Sequence, residues 1–209
     1  MSATTVPAPL TVGFDLDMTL LDTRPGIKAT YLALAAETGA HIDADLVITR
    51  LGPPLADEMR NWFPEDRLPQ VLDRYRTLYR DHALAPTVPL PGALAAVAAV
   101  RAHGGRVVVI TGKYEPNARL HLEHAGIAYD AVVGDLWAET KGTALREHGA
   151  SVYVGDHLGD IVGARAAGAV AVGVTTGPFS SAELAEAGAD VVLPALTEFP
   201  AWLAGHLAG

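Results

Sequence analysis

The stretch "RVVVI", residues 106–110, sets four apolar residues in a row with no alternation. Strands with one wet face alternate polar and apolar residues, so a continuous run points to a strand covered on both faces. Comparable runs span residues 10–14, 131–133, 151–154, 170–174 and 190–193. Segments of helical composition lie between them, at 116–124, 142–147, 158–167 and 181–187. This βαβα order predicts an α/β fold, a doubly wound parallel sheet with helices on both sides. Gly104-Gly105 marks the end of a helix before the run at 106.

One segment breaks the alternation. Residues 22–88 hold no run that reads as a buried strand. Instead Tyr31, Leu32, Leu34 and Ala35, and then Leu72, Tyr75, Leu78 and Tyr79, recur at helical spacing. Gly52-Pro53-Pro54 and Pro64 punctuate the segment, and "LAPTVPLPG" closes it with three prolines. The expected organisation is a core of residues 1–21 and 89–209 carrying an α-helical insert of residues 22–88, hinged near 21–22 and 86–91. Trp62, Phe63 and Tyr75 fit the interior of that insert. An insert at the carboxyl end of a strand lies over the place where doubly wound sheets bind ligands.

Charge and composition narrow the partners. The net charge of -9 lacks a basic footprint for nucleic acid and disfavours anionic membrane. The absence of cysteine excludes disulfides, thiolate zinc sites and cysteine nucleophiles, and accords with a reducing, cytoplasmic setting. The opening "MSATTVPAPL" has no basic start and no continuous apolar stretch, so it reads as a mobile tail and not a signal peptide. "ALAAVAAVRAHGG" is too short and too interrupted to span a membrane.

The chemistry-bearing residues sit where the runs end. "TVGFDLDMT" closes its run with Asp15 and Asp17, two residues apart and so on the same side of a strand. One such carboxylate can attack while the other donates or accepts a proton. The run at 106–110 ends in Thr111-Gly112-Lys113, a hydroxyl and backbone N–H groups that suit a phosphate oxygen or simply cap a helix. Lys141, one of three lysines, opens a helix, where the helix dipole disfavours a cation. An anion beside Lys141 would account for it; a solvated lysine is the plainer alternative. "VYVGDHLGD" supplies Asp156 and Asp160, which with Asp15 make an oxygen-rich cluster suited to Mg²⁺. His157 lies between those two aspartates and receives no role. His121 and His124, three apart on one helix without an acidic partner, read as a surface pair.

The ordered set Asp-x-Asp-x-Thr, Thr-Gly, Lys and Gly-Asp-x-x-x-Asp resembles the haloacid dehalogenase-like (HAD) hydrolase superfamily, over residues 12–193. The helical insert, the loop Arg50-Leu51-Gly52-Pro53-Pro54-Leu55 and Lys113 after Thr-Gly are similar to its phosphoglycolate phosphatase-like branch. The resemblance implies a Rossmann-like core with a helical cap. It implies Asp15 as the nucleophile that forms an aspartyl-phosphate, and Asp17 as the acid and then the base. Thr111, with Gly112 and Lys113, would bind the phosphate, and Lys141 would neutralise charge. Mg²⁺ would be held by Asp15, Asp156 and the backbone carbonyl of Asp17, with Asp160 supporting the metal or the lysine. Arg50 is either a partner for a substrate carboxylate or a solvated helix end.

Two features refine the resemblance. Members often have glycine where Met18 stands, which leaves the local turn open. Asp17 separates phosphatases from the dehalogenases and phosphonate-cleaving members of the superfamily, which lack that second aspartate. The expected activity is a Mg²⁺-dependent phosphatase acting on a small, phosphoglycolate-like phosphorylated metabolite, as a monomer or homodimer. A sugar phosphomutase or a catalytically silent interaction protein on the same scaffold are the alternatives.

Overall fold

The computed structural model describes residues 9–209, so most of the opening tail lies outside the described residues. The first strand, β1 (Thr11–Phe14), leads through a tight turn to β2 (Leu21–Asp22). Four helices follow: α1 (Arg24–Thr38), α2 (Ala44–Val47), α3 (Leu55–Met59) and α4 (Leu68–His82). The chain returns through β3 (Val88–Pro89). It then alternates as α5 (Ala93–Ala102), β4 (Arg106–Ile110), α6 (Glu115–His124), β5 (Ala131–Val133), α7 (Glu139–Glu147) and β6 (Val152–Gly155). The last elements are α8 (Leu158–Ala167), β7 (Val170–Val174), α9 (Ser181–Glu186), β8 (Val191–Leu193) and α10 (Phe199–Ala208).

Six strands form one parallel sheet in the order β5-β4-β1-β6-β7-β8. Every residue of β1 and β6 is buried, as non-alternating runs require when helices cover both faces. One apolar layer gathers Val12, Phe14, Val107 and Val109 under α5 and α10. The opposite layer gathers Val108, Ile110 and Tyr153 under α7 and α8. Each buried Val, Leu or Phe side chain contributes about 1.5–3 kcal/mol, so these layers dominate stability. The sheet order reverses at β1, with β4 on one side and β6 on the other, which opens a crevice at their carboxyl ends.

The insert has an interior of its own. Ile27, Tyr31 and Leu34 of α1 pack with Val71, Tyr75, Leu78 and Tyr79 of α4. Phe63 is buried there and Trp62 packs against it in part. The face of α1 differs from the expected one, because Leu32 points outward and is 52% exposed while Ile27 turns in. The two crossings between insert and sheet, Leu21–Asp22 and Val88–Pro89, pair with each other as a short antiparallel ribbon.

Candidate active site

Asp15 ends β1 at the sheet's reversal point, buried, its amide bonded to the Val154 carbonyl of β6 at 2.8 Å. The chain then turns sharply, with Leu20 and Leu21 N–H groups donating to the Leu16 carbonyl at 3.0 Å. Met18 adopts a left-handed φ of 59° here. A non-glycine residue in that region costs roughly 1–2 kcal/mol. The Met18 side chain is nearly fully buried, and burial of that size contributes about 1.5–3 kcal/mol, enough to offset the strain. Beyond Asp15, this turn carries Asp17, which lines the same cavity.

Lys141 is not solvated. It is buried, and its Nζ donates to Asp15 Oδ1 at 2.8 Å and to Asp160 Oδ1 at 2.6 Å. Small residues where α7 crosses α8 allow this. A Cβ on Gly163 would sit 3.0 Å from Lys141 Cβ, and one on Gly142 would sit 2.8 Å from Ala166 Cβ. Bare backbone at both positions lets the helices close until lysine and carboxylate meet.

Asp156, at the end of β6, accepts from Thr19 Oγ1 at 2.8 Å. It does not cap the next helix. His157 does, its Nδ1 accepting from the Gly159 amide at 3.1 Å, while Asp160 Oδ2 accepts from the His157 amide at 3.0 Å. Asp160 Oδ1 also accepts from the Tyr153 hydroxyl at 3.2 Å. Both Asp160 oxygens are thus engaged by protein groups. Asp15 Oδ2 and Asp156 Oδ2 have no hydrogen-bond donor among the described residues.

Asp15, Asp156 and Asp160 each offer an oxygen, all within 4.8 Å of one another, against the single ammonium of Lys141. Burial pushes the Asp15 carboxyl up to about 7 despite the lysine, and pushes Asp156 well above the usual carboxylate range. Burial works against the Lys141 ammonium, yet Asp15 and Asp160 keep it charged. An excess of buried negative charge with two free hard oxygens fits a divalent, oxygen-seeking cation.

The second carboxylate has its own partner. Lys113 Nζ lies 2.9 Å from Asp17 Oδ1, and Thr23 Oγ1 donates to the same oxygen at 2.6 Å. Burial raises the Asp17 carboxyl, but Lys113 and Thr23 outweigh it and hold the group below its ordinary value. Thr111 is buried at the end of β4, and its Oγ1 accepts from the Lys113 amide at 3.2 Å. Gly112 lines the crevice beside it.

The insert roofs these groups over a cavity of about 190 Å³. Arg50 reaches the cavity, but its Nη2 is held at 2.6 Å by Glu58 Oε1, which also accepts from Trp62 Nε1 at 2.8 Å. His157 lines the cavity rim between the rings of Trp137 and Phe179.

The surface-pair reading fails for His121. It is buried, and its Nε2 shares a 2.8 Å hydrogen bond with the Tyr79 hydroxyl of α4. Only His124 is exposed. The signal was the spacing of Ala118, His121 and Leu122, the inward stripe of α6, whereas His124 lies off it. Asn117 falls on the same stripe, and it and Arg76 line the cavity, but no motif singled out either.

Comparison with known proteins matches this arrangement. The profile of the haloacid dehalogenase-like hydrolase family matches residues 12–174. A phosphoglycolate phosphatase of Neisseria gonorrhoeae is 32% identical over 79% of this chain and 80% of its own length. A phosphoglycolate phosphatase of Rhodospirillum rubrum is 32% identical over 93% and 91%. A solved structure described as a predicted phosphatase, from Clostridium acetobutylicum, superposes with a TM-score of 0.80 at 25% identity, over 94% of this chain and 99% of that one. By the family match over residues 12–174 and by these relatives, the chain belongs to the haloacid dehalogenase-like hydrolases, in their phosphoglycolate phosphatase-like branch.

Proposed function

We propose that this protein is a Mg²⁺-dependent phosphatase of small phosphorylated metabolites that acts through an aspartyl-phosphate on Asp15. The observation that carries the reading is the pairing of two carboxylates with two different lysines across one crevice, Asp15 with Lys141 and Asp17 with Lys113. Phosphoryl transfer needs in-line positioning and charge neutralisation more than covalent chemistry, and the two ammonium groups support the second of these.

Asp15 attacks phosphorus through one carboxylate oxygen, while Lys141 neutralises charge on Asp15 and on the phosphoryl group. The Thr111 hydroxyl and the amides after it receive the phosphoryl oxygens. Asp17, ionised beside Lys113 in the free chain, first takes up a proton from the monoanionic ester or from solvent, gives it to the leaving oxygen, and then takes one from the water that hydrolyses the aspartyl-phosphate. Lys113 follows the charge on Asp17 and the phosphate. Asp15, Asp156 and the Asp17 backbone carbonyl would hold Mg²⁺, with Asp160 anchoring Lys141. When bound, the cation supplies Lewis-acid charge neutralisation at the phosphoryl oxygens.

Residues 22–88 act in this reading as a cap that closes over the crevice, with the ribbon of Leu21–Asp22 and Val88–Pro89 as its hinge. The relatives named phosphoglycolate phosphatases make phosphoglycolate the first substrate to assay. Among the described residues no helix is long and apolar enough to cross a membrane, and the absence of cysteine suits a cytoplasmic setting. The test is phosphate release from p-nitrophenyl phosphate and from phosphoglycolate, with Mg²⁺ and with excess chelator. Release that stops with chelator and returns with Mg²⁺ is the expected result. No release from any phosphomonoester, or full activity in excess chelator, overturns the reading.

A further inference from the structure

Among the described residues, four lysine and arginine side chains line the cavity, and each already has a carboxylate partner. Lys141 holds Asp15 and Asp160, and Lys113 holds Asp17. Arg50 Nη2 lies 2.6 Å from Glu58 Oε1, and Arg76 Nη1 lies 3.5 Å from Asp73 Oδ1. The lysines belong to the core, so the insert brings only its two paired arginines. Beside these pairs the wall of the cavity is mainly apolar. Leu51 and Leu55, on either side of Gly52-Pro53-Pro54, and Leu72 of α4 line it, with Trp137 of the core. Each of the four is only partly buried, so none is sealed inside the packed interior. Apolar side chains left half-open under a roof shed the rest of their water only when a ligand covers them.

We infer that the leaving alcohol of the substrate is uncharged and apolar, so that the chain prefers phosphate monoesters of short alkyl or aryl alcohols to esters carrying a second anion. The inference rests on the phosphatase reading and deepens it. A substrate carboxylate entering this cavity gives up water and finds every cation engaged, and a buried anion without a partner is costly. To reach Arg50 it has to displace Glu58, whose Oε1 also accepts from Trp62 Nε1 at 2.8 Å. Glu58, once freed, faces the incoming anion with a like charge. An alkyl group needs no such exchange. It covers Leu51, Leu55 and Leu72 and releases water from both surfaces. A cavity of about 150 Å³ accepts benzene. The 190 Å³ here also has to hold the phosphoryl group, which limits the alcohol to a few carbons. Phosphoglycolate, the first substrate to assay, is then a poor one.

The test is a series of phosphate esters of methanol, ethanol, propan-1-ol and butan-1-ol. These alcohols have nearly equal acidity, so differences in kcat/KM report binding of the alkyl group. In the wild-type chain kcat/KM should rise about four-fold for each added methylene, which is what burial of about 0.8 kcal/mol per CH₂ gives. Isobutyl phosphate has the branched shape of phosphoglycolate without its second charge, and should exceed it by at least about ten-fold. Leu72→Gln and Leu55→Gln, at partly exposed positions, should each lower the butyl-to-methyl ratio. Glu58→Gln leaves Arg50 without its carboxylate while keeping an acceptor for Trp62, and should raise kcat/KM for phosphoglycolate by at least about five-fold. A rise of less than about two-fold per methylene in the wild type overturns the inference. So does use of phosphoglycolate equal to that of isobutyl phosphate, a butyl-to-methyl ratio unmoved in both leucine variants, or a Glu58→Gln chain that uses phosphoglycolate no better. Phosphate release from none of these esters nor from p-nitrophenyl phosphate is a different failure, that of the phosphatase reading itself.

Discussion

Tyr79 of the insert and His121 of the core share one buried hydrogen bond of 2.8 Å, with their rings edge to face at 5.4 Å. Breaking it from one side strands a buried polar group, at a cost of about 1–3 kcal/mol. Tyr79→Phe should therefore destabilise the protein by roughly that amount, while the double variant Tyr79→Phe/His121→Leu should recover much of the loss. Urea denaturation of the four proteins measures the cycle; additive losses would mean that the two side chains do not interact.

Burial pushes the His121 imidazole down to about 3. The folded chain therefore holds it neutral, while the unfolded chain protonates it below about 6.5. The stability this neutral ring contributes is present above pH 6.5 and falls by up to about 1.4 kcal/mol per pH unit between 6.5 and about 3. His121→Gln keeps a partner for Tyr79 without titrating. Its stability relative to wild type should rise as pH falls through that window, and parallel stability curves would contradict the assignment.

Asp15→Asn should leave the fold intact, because an amide oxygen still accepts from Lys141. It should lower phosphate release by at least about a thousand-fold, since an amide is no nucleophile for phosphorus. Wild-type turnover from a folded Asp15→Asn protein would exclude Asp15 as the attacking group.

Lys113→Met removes the ammonium that holds the Asp17 carboxyl below its ordinary value. With burial unopposed by that charge, the Asp17 carboxyl moves up. The limb governed by Asp17 as proton donor should move to higher pH, and turnover should drop. A pH profile of kcat/KM with unchanged limbs would detach Lys113 from Asp17.

Gly52 is where the insert loop meets the core. Its φ is 133°, and a Cβ there would lie 2.6 Å from His157 Cδ2 and 3.1 Å from Trp137. Gly52→Ala should hold the cap off the core and raise KM by about ten-fold or more, for a closure penalty of roughly 1.4 kcal/mol. Steady-state kinetics with unaltered KM would show that this contact is not needed for closure.

The backbone plan was legible in the residues alone. Runs without alternation, such as Val107 to Ile110, pointed to strands covered on both faces, and residues 22–88 lacked them. The ends of those runs also marked Asp15, Asp17, Thr111 and Asp156 in order, because a strand's carboxyl end is where a parallel sheet exposes side chains to a crevice. What the order could not decide is which charges meet. Lys141 reaches Asp15 across 126 residues, and it does so only because two glycines let α7 and α8 close. His121 looked like a surface residue until α4 of the insert covered it with Tyr79. Arg50, Arg76 and Asn117 carry no periodic or spacing signal that says which of them is already paired. Arg50 meets Glu58 eight residues on only because the loop between them folds back, so the packed structure and no periodicity decides that this arginine is already paired.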